Sequence, residues 1–236
     1  MPAATAVPVA VVTVDGPSGA GKGTISRLLA QRLGWNLLDS GALYRLVALA
    51  GEQRGLDPQD VEGHALQAGL MNVQFQSHAD GSERVLLDGR DVTRALRTEA
   101  TGAGASRVAA WPAVRAALLE LQRRFAAPPG LVADGRDMGT VVFPAAALKI
   151  FLTATAEERA RRRYNQLKDK DSGVSLAALS REIAERDERD STRAVAPLAP
   201  AEGAALIDST HLSVGEVLES ILALGRSRGL WSAGTV

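Results

Sequence analysis

The sequence predicts an α/β fold, a parallel sheet flanked by helices, and three observations carry the prediction. Short, continuously apolar, β-branched runs recur along the chain, as expected of strands buried on both faces. Between them, apolar residues fall at helical spacing. The two patterns alternate, which calls for crossover connections with helices covering both sides of the sheet. The 236 residues fit one large domain, or one domain carrying an insertion, at ~100–200 residues each.

Val9–Val14 reads as a buried strand, and Asp15 to Gly21 breaks it. A helix begins near Lys22, with Ile25, Leu28, Leu29 and Leu33 on one face, and Gly34 stops it. Asn36–Asp39 is a second short strand, and Ala42–Gln53 a helix closed by Gly55. From about Ala65 to Thr101 the texture changes. The runs MNVQFQ and ERVLLDGRDVT alternate around Asp80-Gly81, so a small inserted β-rich subdomain is expected over 65–101. Helical spacing returns at Glu99–Ala110 and again from Pro112, until Pro128-Pro129-Gly130. Leu131–Ala133, Leu148–Leu152 and Ala205–Ile207 are further strands. Glu157–Leu167, Leu176–Asp190 and Val214–Arg226 are further helices, the first two flanking a loop at Lys170–Gly173.

Composition excludes several classes of function. Twenty-seven basic residues balance 27 acidic ones, so nothing draws the whole chain to nucleic acid or an anionic membrane. With no cysteine there is no disulfide, thiolate nucleophile or cysteine-held metal, and a cytoplasmic setting is expected. His64, His78 and His211 are scattered and form no metal-binding spacing. No apolar run approaches the ~18 residues of a membrane span. A monomer is expected, since no long exposed apolar helix face is evident.

Gly16-Pro17-Ser18-Gly19-Ala20-Gly21-Lys22-Gly23-Thr24 follows a strand and opens a helix, the context of a P-loop. Glycines let successive N–H groups turn toward a phosphate chain, the helix N-terminus adds partial positive charge, and Lys22 reaches the outer phosphates. ATP or GTP is the implied ligand. Gly23 stands where Ser or Thr usually follows the lysine. Thr24 is then the hydroxyl for Mg²⁺, directly or through water, with Asp15 and Asp134 as further candidates.

G-K-G-T in place of G-K-S/T resembles the nucleoside monophosphate kinases. Three more segments sharpen the likeness: Leu38-Asp39-Ser40-Gly41-Ala42-Leu43-Tyr44-Arg45, Ala133-Asp134-Gly135-Arg136-Asp137-Met138-Gly139-Thr140, and Arg186 to Leu198. With the inserted β subdomain, the set resembles the bacterial cytidylate kinases from about Val11 to the last helix. The resemblance implies a P-loop NTPase fold whose kinase core comprises residues 1–64 and 102–236. It also implies a lid at about 157–175, and an insertion at 65–101 on the nucleoside monophosphate side. It implies Mg²⁺- and ATP-dependent phosphorylation of CMP and dCMP, with UMP used poorly.

Carried over position by position, Ser40, Tyr44 and Arg45 lie beside the acceptor nucleotide, with Arg45 on its phosphate. Ser106, Arg115 and Asp137 match cytosine-reading positions, and Arg136 matches a phosphate-binding arginine. Arg186 and Asp190 match ribose contacts, and Arg193 a further arginine of the site. Glu157 to Arg163 resembles the start of a kinase lid, which adds Arg159 and Arg162 to Lys22 and Arg136 as catalytic candidates. Spacing does not choose between the lid arginines.

The chemistry points the same way. Two phosphate groups repel, so a kinase needs a lysine and several arginines to spread the transition-state charge. Cytosine presents an N4 amino donor beside two acceptors, which suits a carboxylate next to an arginine and a hydroxyl. Arg186, Asp190 and Arg193, spaced i, i+4 and i+7, share one face if the helix runs through all three. Blander readings are a solvated charge for Arg45, a turn residue for Asp137 and a surface ion-pair ladder for the last set. No dedicated general base is expected, because the acceptor oxygen is already ionised. The competing functions are another small-molecule P-loop kinase, a regulatory GTPase and a non-catalytic nucleotide-binding module. No N-K-x-D guanine-reading motif supports the GTPase.

Overall fold

The computed structural model describes residues 9–77, 83–168 and 175–232. In chain order the elements are β1 (Val11–Asp15), α1 (Lys22–Leu33), β2 (Asn36–Asp39), α2 (Ser40–Gln53), α3 (Val61–Leu70), β3 (Val73–Ser77), β4 (Glu83–Leu87) and β5 (Arg90–Asp91). Then follow α4 (Glu99–Val108), α5 (Pro112–Arg123), β6 (Leu131–Gly135), β7 (Leu148–Thr153), α6 (Ala156–Leu167), α7 (Leu176–Thr192), β8 (Ala205–Asp208) and α8 (Val214–Ser227). A 3-10 turn precedes α4 at Ala95–Arg97, and a π-turn follows β6 at Met138–Val142. Two compact units result. One comprises Met1–Leu38, Arg123–Thr192 and Ala196–Val236; the other comprises Asp39–Gln122 with Arg193–Val195.

The first unit holds a five-stranded sheet in the order β2-β6-β1-β7-β8. β1 runs parallel to both β6 and β7, and β7 parallel to β8. The chain leaves β1 for β2 while β7 lies on its other side. The carboxyl end of β1 therefore sits where such sheets bind ligands. Every residue of β1 and β6 is buried, which explains their unbroken apolar texture. Val12, Val14, Val132 and Ile150 form one core with Ile25 and Leu29 of α1 and Ile221 and Leu222 of α8. Ser213 starts α8 with a capping box: its hydroxyl accepts from Glu216 N–H, and the Glu216 carboxylate accepts from Ser213 N–H.

The second unit pairs β3 with β4 and β4 with β5, both antiparallel. It corrects the sequence reading in three places. ERVLLDGRDVT is a hairpin rather than one strand. Asp88 and Gly89 both have positive φ, the two-residue turn that Asp-Gly favours. The start of the expected β-rich stretch is helical, since α3 runs on through Leu70. Asp60 caps α3 by accepting from Gly63 N–H at 2.8 Å, but Gly63 and Gly69 weaken the helical pattern in the sequence. The unit is also broader than the expected 65–101 insertion, because α2 packs with α3 and α4. Asp80-Gly81, His78 and the Lys170–Gly173 loop lie outside the described residues, and so does part of the expected lid.

The end of the described chain closes over the core. Trp231 stacks edge-to-face on Trp35 at 5.8 Å and donates to the Leu222 carbonyl at 3.1 Å. Gly225 lies under the indole, where a Cβ would fall 1.7 Å from a ring carbon. Gly225→Ala should destabilise the fold by about 1–3 kcal/mol through overpacking. Urea denaturation followed by tryptophan fluorescence checks this; an unchanged midpoint would contradict the packing.

Candidate active site

Backbone geometry explains the phosphate loop first. Gly16 has φ +147° and packs so closely that a Cβ would fall 1.9 Å from the Leu152 carbonyl oxygen, so no side chain fits there. Gly21, also at positive φ, turns the chain into α1 without a side-chain cap. The first N–H groups of α1 therefore lie at a helix N-terminus open to an anion. Lys22, on that turn, is buried and donates back to the Pro17 carbonyl at 2.8 Å. Burial pushes its pKa down to about 7; Arg136 and Arg186 push the same way, while Asp134 and Asp15 oppose them. Those four side chains are thus close enough to act on the ammonium.

Gly23 also has a local reason. A Cβ there would stand 3.4 Å from the Asp134 carboxylate, so the absent side chain leaves room between loop and carboxylate. Asp134 belongs to β6 itself, not to the loop after it, and is buried. Thr24 is exposed.

Asp15, a sequence candidate for Mg²⁺, is engaged on the backbone: its two oxygens accept from Met138 N–H and Gly139 N–H, each at 2.8 Å. Its pKa rises to about 6, chiefly through burial, with Asp137 adding to the rise. The backbone donors and Lys22 oppose it without cancelling it.

Both expected lid arginines are engaged on the loop. Arg159 is buried and donates to Asp187 of α7 at 3.0 and 2.6 Å, to Ala154 O at 3.0 Å and to Ser18 O at 3.0 Å. Arg162 donates to Glu158 at 2.9 Å, to Ser209 Oγ at 3.1 Å and to Ala20 O at 3.4 Å. Asp187 and Ser209 were not singled out from sequence. Asp187 is one of many charges on α7 and carries no local signal. Ser209 sits between strand and loop, 189 residues from the Ala20 carbonyl to which it donates.

Arg136 and Asp190 come together, Nε to carboxylate, at 2.9 Å. Arg193 does not share their helix, because α7 ends at Thr192 and Arg193 groups with the second unit. The shared-face expectation therefore holds only for Arg186 and Asp190. Asp137 is buried at the start of the π-turn.

In the second unit, Ser40 opens α2 behind Asp39, whose carboxylate caps the helix through Ala42 N–H at 3.0 Å. Tyr44 is buried, and the Arg115 guanidinium lies 5.9 Å from its ring centroid. Arg115 also donates to Ala109 O at 3.2 Å. Arg45 donates to Leu96 O at 2.8 Å and lies against Gly102, where a Cβ would meet its guanidinium at 3.2 Å. Ser106 is buried on α4, the helix that carries Gly102. Arg45, Tyr44, Ser106 and Arg115 therefore belong to one packed group of helices.

The raised Asp15 pKa sets a sign for stability. A carboxyl held above its unfolded value of 3.8 binds its proton more tightly in the native state, so stability falls as pH rises from about 4 to about 6. Asp15→Asn removes that titration. The stability of wild type relative to Asp15→Asn should therefore decline across the window, as read from urea midpoints at each pH. A flat difference would show that Asp15 titrates normally.

A family model described as cytidylate kinase matches residues 12–227. Over 224 residues the chain is 60% identical to the cytidylate kinase of Stutzerimonas stutzeri (strain A1501), covering 94% of this chain and 98% of that protein. Over 216 residues it is 62% identical to the cytidylate kinase of Pseudomonas aeruginosa (strain LESB58), covering 91% and 94%. The crystal structure of a gluconokinase from Sinorhizobium meliloti 1021 aligns over 94% of each chain at 16% identity, with a TM-score of 0.45. The family match runs from β1 into α8 and takes in the phosphate loop, the Arg136-Asp137 loop and α7, so the chain belongs to the cytidylate kinase family.

Proposed function

We propose that this chain transfers the γ-phosphoryl group of ATP to CMP and dCMP, giving CDP and dCDP, with the residues gathered around Lys22 as its phosphoryl-transfer centre. Membership of the cytidylate kinase family supports the reaction. The observation that carries the assignment of the centre is electrostatic. A lysine at a helix N-terminus is buried, which suppresses its charge, and Arg136 and Arg186 lie within range and add to the suppression. An anion of high charge relieves that suppression, and the phosphate chain of ATP is such an anion.

The residue roles follow from their chemistry. Gly16 to Thr24 hold the ATP phosphates, and Lys22 and Arg136 spread the charge of the transferred group. Arg159 and Arg162 act at the loop they already touch. The oxygen donors Thr24 and Asp134, with the space left by Gly23, fit a hard cation such as Mg²⁺. When bound, Mg²⁺ neutralises charge between the β- and γ-phosphates. Asp137 accepts from the N4 amino group of cytosine, while uracil would set O4 against the carboxylate and leave it unpaired. Arg186 and Asp190 serve the ribose. In the second unit, Arg45 and Arg193 suit the acceptor phosphate, and Ser106 and Arg115 suit the acceptor atoms of cytosine, beside Ser40 and Tyr44. A cytoplasmic monomer goes with this reading, to be checked by fractionation and sedimentation. Among the described residues, no helix is long and apolar enough to cross a membrane.

The test is ADP formation from Mg·ATP with CMP, dCMP, UMP, AMP and GMP offered separately, against a blank without acceptor. Turnover confined to CMP and dCMP is expected; activity in the blank alone would leave only an NTPase. Asp137→Ala should lower kcat/KM for CMP by about 10²-fold or more while ATP binding stays near wild type. Equal loss with every acceptor would count against base reading. Lys22 gives an independent readout. At pH 8 a lysine with a pKa near 7 is mostly neutral, and nucleotide phosphates raise that value. Mg·ATP binding should then take up close to about one proton, measured by calorimetry in buffers of different ionisation enthalpy. Lys22→Ala should abolish the uptake.

A further inference from the structure

The π-turn at Met138–Val142 raises a question of hydrogen bonding. Its first N–H groups have no partner within the turn and need an acceptor, because this segment is buried. Asp137 occupies the cap position, where an aspartate ordinarily turns its own carboxylate onto those donors. Here it makes no such bond. Asp15 does so instead, reaching across from the end of β1 with one oxygen on Met138 N–H and the other on Gly139 N–H, 2.8 Å each. The approach is built to be close. A Cβ on Gly139 would come within 2.9 Å of Thr13 Oγ1 and 3.3 Å of the Asp15 carboxylate.

We propose that Asp15 is a positioning residue for acceptor specificity: by capping the π-turn from β1, it keeps the Asp137 carboxylate off its own backbone and turned to the incoming base. The inference rests on the reading of Asp137 as the group that recognises cytosine. It gives the aspartate before the phosphate loop a function that phosphate binding does not need. Asp15 bonds to neither the loop backbone nor Lys22, but to a segment more than 120 residues away. A buried carboxylate is a costly way to satisfy two backbone donors, yet a single carboxylate accepts both at once. An asparagine offers one carbonyl oxygen and sets an NH₂ donor against the other N–H. With Asp15 replaced, the carboxylate at the cap position itself is that of Asp137, and capping withdraws it from the base.

The experiment compares wild type, Asp15→Asn, Asp137→Ala and the double variant, measuring kcat/KM for CMP and for UMP and KM for ATP. Asp137→Ala first tests the underlying reading: if it leaves the CMP-to-UMP ratio intact, the base-reading role falls and this inference with it. If it lowers the ratio, Asp15→Asn should lower it too, by about tenfold or more, with KM for ATP held within about threefold. The double variant should then show the ratio of Asp137→Ala alone, because Asp15 acts through Asp137. An unchanged ratio in Asp15→Asn, or two effects that multiply in the double variant, would overturn the proposal. A merely structural role would lower the melting temperature and weaken both substrates alike. Should Asp15→Asn fail to fold, Asp15→Ser, whose hydroxyl still accepts one N–H, takes its place with the same expectations.

Discussion

A loop that turns its N–H groups toward a phosphate must turn carbonyls outward, and those carbonyls need donors of their own. Much of the first unit answers this constraint. Lys22 serves Pro17 O, Arg159 serves Ser18 O, and Arg162 and Ser209 both serve Ala20 O. These donors come from α1, α6 and the loop after β8, so the shape of nine consecutive residues depends on segments spread over most of the chain. Arg159 is held in turn by Asp187, and Arg162 by Glu158. Two arginines that read from sequence as mobile lid groups are, in this structure, part of the support beneath the loop.

The same economy governs charge. Arg136, Arg186, Asp134 and Asp15 all bear on Lys22 in a region with little solvent, and Lys22 bears on Asp15 in turn. Lys22 is driven toward neutrality and Asp15 toward protonation. Neither shift favours the folded state without ligand, which marks the region as built for chemistry rather than stability. Arg136 is steadied by Asp190 at 2.9 Å, and Asp15 is anchored by two backbone donors. The second unit follows a parallel rule. Arg45 and Arg115 are oriented by backbone carbonyls, with the Tyr44 ring beside Arg115, so their planar groups are preset before any ligand arrives.

What could be read in advance was what is local. The strand runs from Val11, Leu131 and Leu148 are buried throughout or on alternate residues, and that burial is written into their side chains. The glycines of the phosphate loop announce positive φ and close approach, and both are present. Errors arose where one local signal overrode another. Gly63 and Gly69 disguised α3, and the Asp88-Gly89 turn was passed over inside a run that looked like a single strand.

The sequence by itself determined the α/β class, the phosphate loop and the family, because these rest on spacing within short segments and on residue types that tolerate few alternatives. Only the tertiary structure decided which partners those residues take. Asp15 caps a turn on Met138 and Gly139, Arg159 joins Asp187, and Ser209 holds Ala20. Such pairings join residues from 28 to 189 positions apart, so no window of sequence contains both members. They are selected by burial: each polar group taken out of water must find a partner, and only the folded chain decides which one is near.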